Sequence, residues 1–160
     1  MKKLILFRHA KSSWSLNVSD RDRPLTEKGI RRIEKISFVS KKIFLDTEIV
    51  YSSPANRAIH TALIIINQLD LSFSNLHLKE DLYTFESSKL IKFIRDIPNS
   101  FSNVICVGHN PAFTDAINHL SDSGFEHLPT SAWAEITFSQ TNWINISKGI
   151  LKLGIPKNIL

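Results

Sequence analysis

The sequence predicts an α/β fold: a three-layer α/β/α sandwich with a mostly parallel sheet and an antiparallel strand near the C-terminus. Three observations carry this reading. Short apolar runs alternate with longer segments of helical periodicity. Two of those runs, Leu4–Phe7 and Val104–Val107, are continuously apolar, as in strands buried on both faces. From Ala132 the pattern changes to alternation (Ala132, Ala134, Ile136, Phe138), which marks a half-buried strand. The 160 residues, 42% of them hydrophobic, suffice for a real core. No repeat or Gly/Ser linker divides them, so one domain is expected over residues 1–160.

The first strand stops at Arg8-His9-Ala10. In open α/β sheets ligands bind beyond the carboxyl ends of the strands, and the small Ala10 lets backbone approach. Lys11 to Leu25 is long for a structureless connection, which marks a functional loop. Thr26 is a good N-cap and Glu27 suits the positive end of a helix dipole. Ile30, Ile33, Ile36 and Val39 or Ser40 recur at helical spacing, so a helix is expected from Glu27 to Lys42.

Glu48–Ser52 reads as the second strand. Ser53 fits an N-cap and Pro54 the first helical position. Ala58, Ala62, Ile65, Ile66 and Leu69 continue that helix. Arg57 lies in its first turn, where free N–H groups make an anion site. Asn75–Leu78 reads as a short strand, and Lys79–Ser87 as a second polar loop. Ser88 is expected to cap a helix running to Ile97, which Pro98 ends. Val104–Gly108 runs into His109-Asn110-Pro111, repeating the strand, cap, proline and helix order. Phe113, Ala116, Ile117 and Leu120 form the stripe of that helix, and Gly124 suits its end. After the alternating strand, Thr141-Asn142 is expected to turn the chain into an antiparallel partner at Trp143–Ile146. No structure is assigned to Ile150–Leu160.

The net charge is +5, which suits an anionic ligand. The basic residues come in scattered pairs (Lys2-Lys3, Arg31-Arg32, Lys41-Lys42), the pattern of solvated faces, so nucleic-acid binding is not expected. No apolar run is long enough to span a membrane. No signal sequence opens the chain and the single cysteine, Cys106, has no intrachain partner. These features favour the cytoplasm.

Three strands thus end in candidate ligand-binding residues: Arg8 and His9, the Ser53–Arg57 segment, and His109. If the strands are parallel neighbours, two arginines, two histidines and two helix N-termini converge. That set suits a tetrahedral dianion, because the guanidinium fork matches phosphate oxygens bidentately. No acidic residue is assigned to the pocket, and a bound metal is not needed to balance charge.

These residues carry a resemblance. Arg8-His9-Ala10 is similar to the Arg-His-Gly signature of the histidine phosphatase superfamily, in an Arg-His-Ala variant. Asp20-Arg21-Asp22-Arg23-Pro24-Leu25-Thr26, Ser52-Ser53-Pro54-Ala55-Asn56-Arg57-Ala58 with Thr61-Ala62, and Val107-Gly108-His109-Asn110-Pro111 resemble the other blocks of its short, SixA-like phosphohistidine phosphatase branch. The four blocks fall in order and span roughly residues 4 to 138.

The resemblance implies a metal-independent phosphatase without cofactor. His9 is the implied nucleophile, passing through a phosphohistidine intermediate. Arg8, Arg57 and His109 are implied to hold the transferring oxygens, and Arg23, Ser53 and Asn110 to help bind substrate. A backbone carbonyl would fix the His9 tautomer. The implied partner is a phosphorylated protein carrying phosphohistidine, or a small phosphorylated substrate. Larger relatives place a carboxylic acid after the third strand to protonate the leaving group. Here Glu80, Asp81 and Glu86 occupy that loop in no alignable context. An imidazole leaving group needs less help, so their lack of context favours phosphohistidine.

The remaining residues have plainer readings. His60, His77, His119 and His127 read as surface or core histidines. Thr61 reads as a packing or hydrogen-bonding residue, and Cys106 as a buried small hydrophobe. Trp14 either lines the pocket mouth or packs its loop down. The competing functions are a small-molecule phosphomonoesterase, a mutase, a metal-dependent hydrolase on His9 and His109, and a non-catalytic phosphate- or phosphoprotein-binding module. A mutase would need a second phosphate site and longer insertions. No zinc-type spacing is present for the hydrolase.

Overall fold

The computed structural model describes residues 1–160. One six-stranded sheet runs through it: β1 (Lys2–Arg8), β2 (Ile49–Ser52), β3 (Leu76–Leu78), β4 (Asn103–Gly108), β5 (Trp133–Phe138) and β6 (Ile150–Gly154). The spatial order is β3-β2-β4-β1-β5-β6. β1, β2, β3 and β4 are mutually parallel, and β5 pairs antiparallel with both β1 and β6. β5 alone therefore runs against the rest, as the change of pattern at Ala132 foretells.

Alternate residues of each central strand face opposite layers. Leu4 and Leu6 face one core with Leu90, Ile94, Phe113, Ile117 and Trp143, under α4 (Ser87–Arg95) and α5 (Ala112–Ser121). Ile5 and Phe7 face the other with Ile33, Ile36, Phe44, Ala62 and Ile65, under α1 (Glu27–Val39), α2 (Lys41–Phe44) and α3 (Asn56–Leu69). Burial on both faces explains the unbroken apolar runs of β1 and β4. A short α6 (Pro156–Ile159) closes the chain against α1. No helix is long and apolar enough to cross a membrane.

Five boundaries differ most from the sequence reading; in addition α4 ends at Arg95 rather than Ile97, and Pro111 rather than Asn110 holds the cap position of α5. The helix expected over Glu27–Lys42 is two helices, broken at Ser40. The Ser40 hydroxyl is buried and accepts from Trp133 Nε1 (2.9 Å), and Phe44 turns into the core. Thr26 does cap the first, accepting from Gly29 N (2.9 Å). α3 begins at Asn56, not at Pro54. Ser53 Oγ accepts from Ala55 N (3.2 Å), and this local turn delays the helix. Ser88 lies inside the first turn of α4, whose cap position is Glu86. α5 ends at Ser121 and is capped by Asp122, itself left-handed (φ 53°), two residues before Gly124.

The fifth difference is the largest. Trp143–Asn145 is a 3-10 turn, and the antiparallel partner of β5 is β6, from the tail given no structure. Trp143 is fully buried, its Nε1 donates to Phe101 O (2.8 Å), and its N–H donates to Asn99 Oδ1 (2.9 Å). Burying the indole in the α4–α5 layer pulls these residues out of the sheet plane. The hairpin connection lengthens to match.

Candidate active site

β1, β4 and β2 are parallel and adjacent, so Arg8-His9, His109 and the Ser53–Arg57 segment emerge at one edge of the sheet. The chain places α1 and α3 on one face and α4 and α5 on the other, so the winding reverses at β4. A ligand crevice is expected at such a reversal. A pocket of about 320 Å³ lies there. Arg8, His9, Arg23, Arg57, His109 and Asn110 all line it. A larger depression of about 400 Å³ beside Tyr51, Lys79, Lys92 and Asp96 contains no histidine, so the candidate chemistry belongs to the smaller pocket.

His9 is buried, and its Nδ1–H donates to Ala10 O (2.7 Å). That bond fixes the tautomer and leaves Nε2 as the unprotonated, accepting nitrogen. Arg57 Nε donates to this Nε2 (3.3 Å). The carbonyl that the sequence left unidentified is the one next along the chain. Ala10 N–H in turn donates to Thr61 Oγ1 (3.0 Å), and Thr61 Oγ1 donates to Arg57 O (2.7 Å). Thr61 is thus a buried hydrogen-bonding residue that ties the His9 loop to α3.

His109 sits beside His9, with ring centroids 5.2 Å apart. Arg57 Nη2 faces His109 Nδ1 at 3.4 Å. A guanidinium only donates, so the proton of His109 is on Nε2, which donates to Ser53 Oγ (2.8 Å). Ser53 is fully buried behind the ring and does not line the pocket. Its observed contact orients His109, where direct substrate contact was expected. Asn110 lines the pocket, and its Oδ1 accepts from Thr114 N (3.2 Å) at the start of α5.

Both imidazoles are held neutral. Burial, outweighing the Ala10 hydrogen bond and helped by Arg57, Arg8 and Arg23, pushes His9 down to about 3. Burial, then the adjoining His9 ring, which resists a second proton beside it, and the Arg57 charge push His109 down to about 3. The positive field of the pocket therefore comes from Arg8, Arg23, Arg57 and Lys11. Arg8 Nη1 donates to Leu128 O (2.8 Å) and meets His127 Nε2 (3.0 Å). Arg8 Nε is buried without a partner among the protein's own groups. Ser131 is buried at φ 63°, and its N–H reaches the carbonyls of Arg8 and His9 (3.2 Å each). Holding a non-glycine residue there costs about 1–3 kcal/mol, and it fixes the end of β1.

The pocket also contains a carboxylate, Asp20, which the sequence reading did not assign to it. Asp20 Oδ2 accepts from Arg57 Nη2 (3.1 Å) and from the Tyr83 hydroxyl. Its Oδ1 pairs with Arg23 Nη2 (3.2 Å), and its backbone O accepts from Arg57 Nη1 (2.6 Å). Burial alone would raise the Asp20 carboxyl. The Tyr83 and Arg57 hydrogen bonds and the Arg57 and Arg23 charges prevail and hold it at about 2. An ionised carboxylate is no proton donor. Asp20 instead fixes both arginines. Sequence reasoning missed it and Tyr83, although Asp20 lies in the quoted Asp20–Thr26 block; only the fold brings residue 83 to residue 20.

The three carboxylates expected as acid candidates stand elsewhere. Glu80 is exposed and pairs bidentately with Arg21 (2.6 and 2.9 Å). Glu86 pairs with Lys89 (3.3 Å). Asp81 borders the larger depression. None lines the site. Cys106 is wholly buried, and its thiol is pushed up by burial.

Arginines, neutral histidines and helix starts at the carboxyl edge of a parallel sheet define an anion site in a doubly wound α/β protein. The sequence model of the histidine phosphatase superfamily (branch 1) matches residues 4–83, half of the chain. The chain belongs to this superfamily. The matched span includes Arg8, His9, Arg23 and Arg57, while His109 lies beyond it. An uncharacterised chloroplastic protein of Arabidopsis thaliana is 27% identical over 134 residues, 78% of this chain and 62% of the relative. A 2,3-bisphosphoglycerate-dependent phosphoglycerate mutase of Nautilia profundicola is 39% identical over 85 residues, 50% of this chain and 36% of the relative. The chain thus spans less than two thirds of either protein. Among solved structures, the protein histidine phosphatase SixA complexed with tungstate superposes with a TM-score of 0.83 at 21% identity, over 99% of both chains. A phosphoserine phosphatase of Entamoeba histolytica superposes with a TM-score of 0.73 at 20% identity, over 100% of both. These likenesses show that the fold is shared.

Proposed function

We propose that the chain is a metal-independent phosphatase that removes a phosphoryl group, from phosphohistidine on a protein, through a covalent intermediate on His9. The observation that carries this reading is the His9 tautomer. Nδ1–H is committed to Ala10 O, and the Nε2 lone pair faces the Arg57 guanidinium. A neutral ring locked in one tautomer, with its unprotonated nitrogen at the anion site, is a nucleophile in position.

In the first step His9 Nε2 bonds to phosphorus as the bond to the leaving imidazole nitrogen breaks. The electron pair of that bond leaves with the ring, whose other nitrogen already carries a proton, so neutral imidazole departs. In the second step water attacks phosphorus, the electron pair of the P–Nε2 bond returns to His9, and the proton lost by the water stays on the departing phosphate. Arg57 and Arg8 hold the equatorial oxygens, where preorganised donors are worth most. With Asp20 ionised, no acid of the free enzyme stands ready for an alkoxide, which favours the imidazole leaving group.

Phosphoramidate hydrolysis in EDTA tests the reading. Turnover by wild type and none by His9→Ala is the expected result. Phosphate binding without turnover in either would favour a binding module. Transfer of phosphate between two hydroxyls of phosphoglycerate would favour the mutase reading, which the Nautilia relative's name keeps in view.

A further inference from the structure

The phosphate pocket is polar except for two side chains, Trp14 and Phe85. Both are large, aromatic and solvent-facing, 79% and 53% exposed. They come from two separate loops, Lys11–Leu25 and Lys79–Glu86. Each rests on a residue of the site. The Trp14 ring lies over the Arg23 guanidinium (3.5 Å), and the Phe85 ring lies edge-on to His109 (6.1 Å).

The loops are tied to each other. Asp20 joins Tyr83, Arg21 forks onto Glu80, and the Arg21 guanidinium covers the Tyr83 ring (4.9 Å). Arg57 in turn anchors the first loop at Asp20 O (2.6 Å). The loops that carry the two rings are therefore joined without substrate, and preorganisation lowers the ordering cost of binding.

We infer that Trp14 and Phe85 form a leaving-group subsite that selects a phosphoryl group carried on a flat ring over one carried on an alkyl chain. This rests on the phosphatase reading for its role in turnover, but ring binding is measurable without turnover. Trp14 offers a face that Arg23 backs on the other side. Phe85 offers a second apolar surface beside His109. An imidazole or aryl ring projecting from the bound phosphoryl group meets apolar, polarisable surface; an alkyl chain cannot stack on it. Aromatic pairs contribute about 0.5–1.5 kcal/mol beyond buried area, so two rings give a preference of about tenfold or more.

The test is calorimetric binding of phenylphosphonate and methylphosphonate, which differ only in the ring. Wild type is expected to prefer phenyl about tenfold. That ratio is expected to fall toward one in Trp14→Ala/Phe85→Ala. Trp14→Leu, which keeps an apolar cover over Arg23, is expected to lose part of it. An absent phenyl preference in wild type, or one retained in the double variant, overturns the inference. Phosphoimidazole and a phosphohistidine-containing peptide, run as competitors, separate a free ring from one on a polypeptide; both must weaken in the double variant. Phosphoramidate turnover measured in parallel reports on the phosphatase reading alone, since it presents no ring.

Discussion

At the residue scale, one guanidinium organises the site. Arg57 Nε faces His9, Nη2 faces His109 and Asp20, and Nη1 meets Asp20 O. Truncating it removes donors aimed at developing charge, so Arg57→Ala is expected to lower kcat by about 10²–10³. Asp20 acts through Arg57 and Arg23. Losing its charge-assisted bonds, about 1.5–3 kcal/mol, is expected to lower kcat/KM by about ten- to a hundredfold in Asp20→Asn. Tyr83→Phe, which keeps the carboxylate, is expected to lose less. If the two variants kept wild-type kcat/KM, the positioning role of Asp20 would be wrong. Glu86→Gln is expected to leave phosphoramidate turnover nearly intact, since its carboxylate pairs with Lys89 away from the pocket. The tautomers are directly observable: imidazole ¹⁵N spectra should show His9 protonated at Nδ1 and His109 at Nε2, with neither ring titrating between pH 7 and pH 5.

At the element scale, the first turn of α1 positions the site loop. A Cβ on Gly29 would meet Lys11 O at 2.4 Å, and Thr26 N–H donates to the same carbonyl (2.9 Å). Gly29→Ala is expected to push the Lys11 backbone away, costing about 1–3 kcal/mol and weakening phosphate binding. Melting and phosphate titration of that variant check both. The sequence made the central strands legible because their two-face burial leaves nothing but apolar residues. It also placed Arg8, His9, Arg57 and His109, since strand ends and helix starts have local signatures. It hid the break at Ser40, which depends on a hydrogen bond to Trp133, ninety-three residues on. It hid the hairpin for the same kind of reason. Trp143 looks like strand material by composition, and only the α4–α5 layer gives the indole somewhere to go. Asp20 was legible as part of a block but not as a pocket residue, because its role depends on Tyr83, Arg23 and Arg57 arriving together.

At the scale of the whole molecule, the buried neutral histidines couple the site to stability. An unfolded chain titrates these rings near 6.5, whereas the folded chain holds both at about 3. Between those values the unfolded state binds more protons, so acid favours unfolding. Their contribution is complete above about pH 6.5 and is lost as pH falls toward 3. Asp20 adds a similar loss lower down, below its ordinary 3.8 and through about 2. From pH 7 to pH 5 the histidine pair is expected to cost on the order of 2–4 kcal/mol. A melting-temperature decrease of roughly 5–10 °C follows for a chain of this size. A His9→Asn/His109→Asn variant should lose much less over the same range. An equal decrease in both proteins would place the acid sensitivity elsewhere.

The central claim is that His9 carries the phosphoryl group. Intact-mass analysis after mixing with excess phosphoramidate in EDTA, quenched in alkali because phosphohistidine is acid-labile, tests it most directly. The expected result is a single phosphate adduct on wild type that maps to His9, is absent from His9→Ala, and turns over with phosphate release. An adduct on another residue, or phosphate release by a folded His9→Ala protein at the wild-type rate, would contradict it.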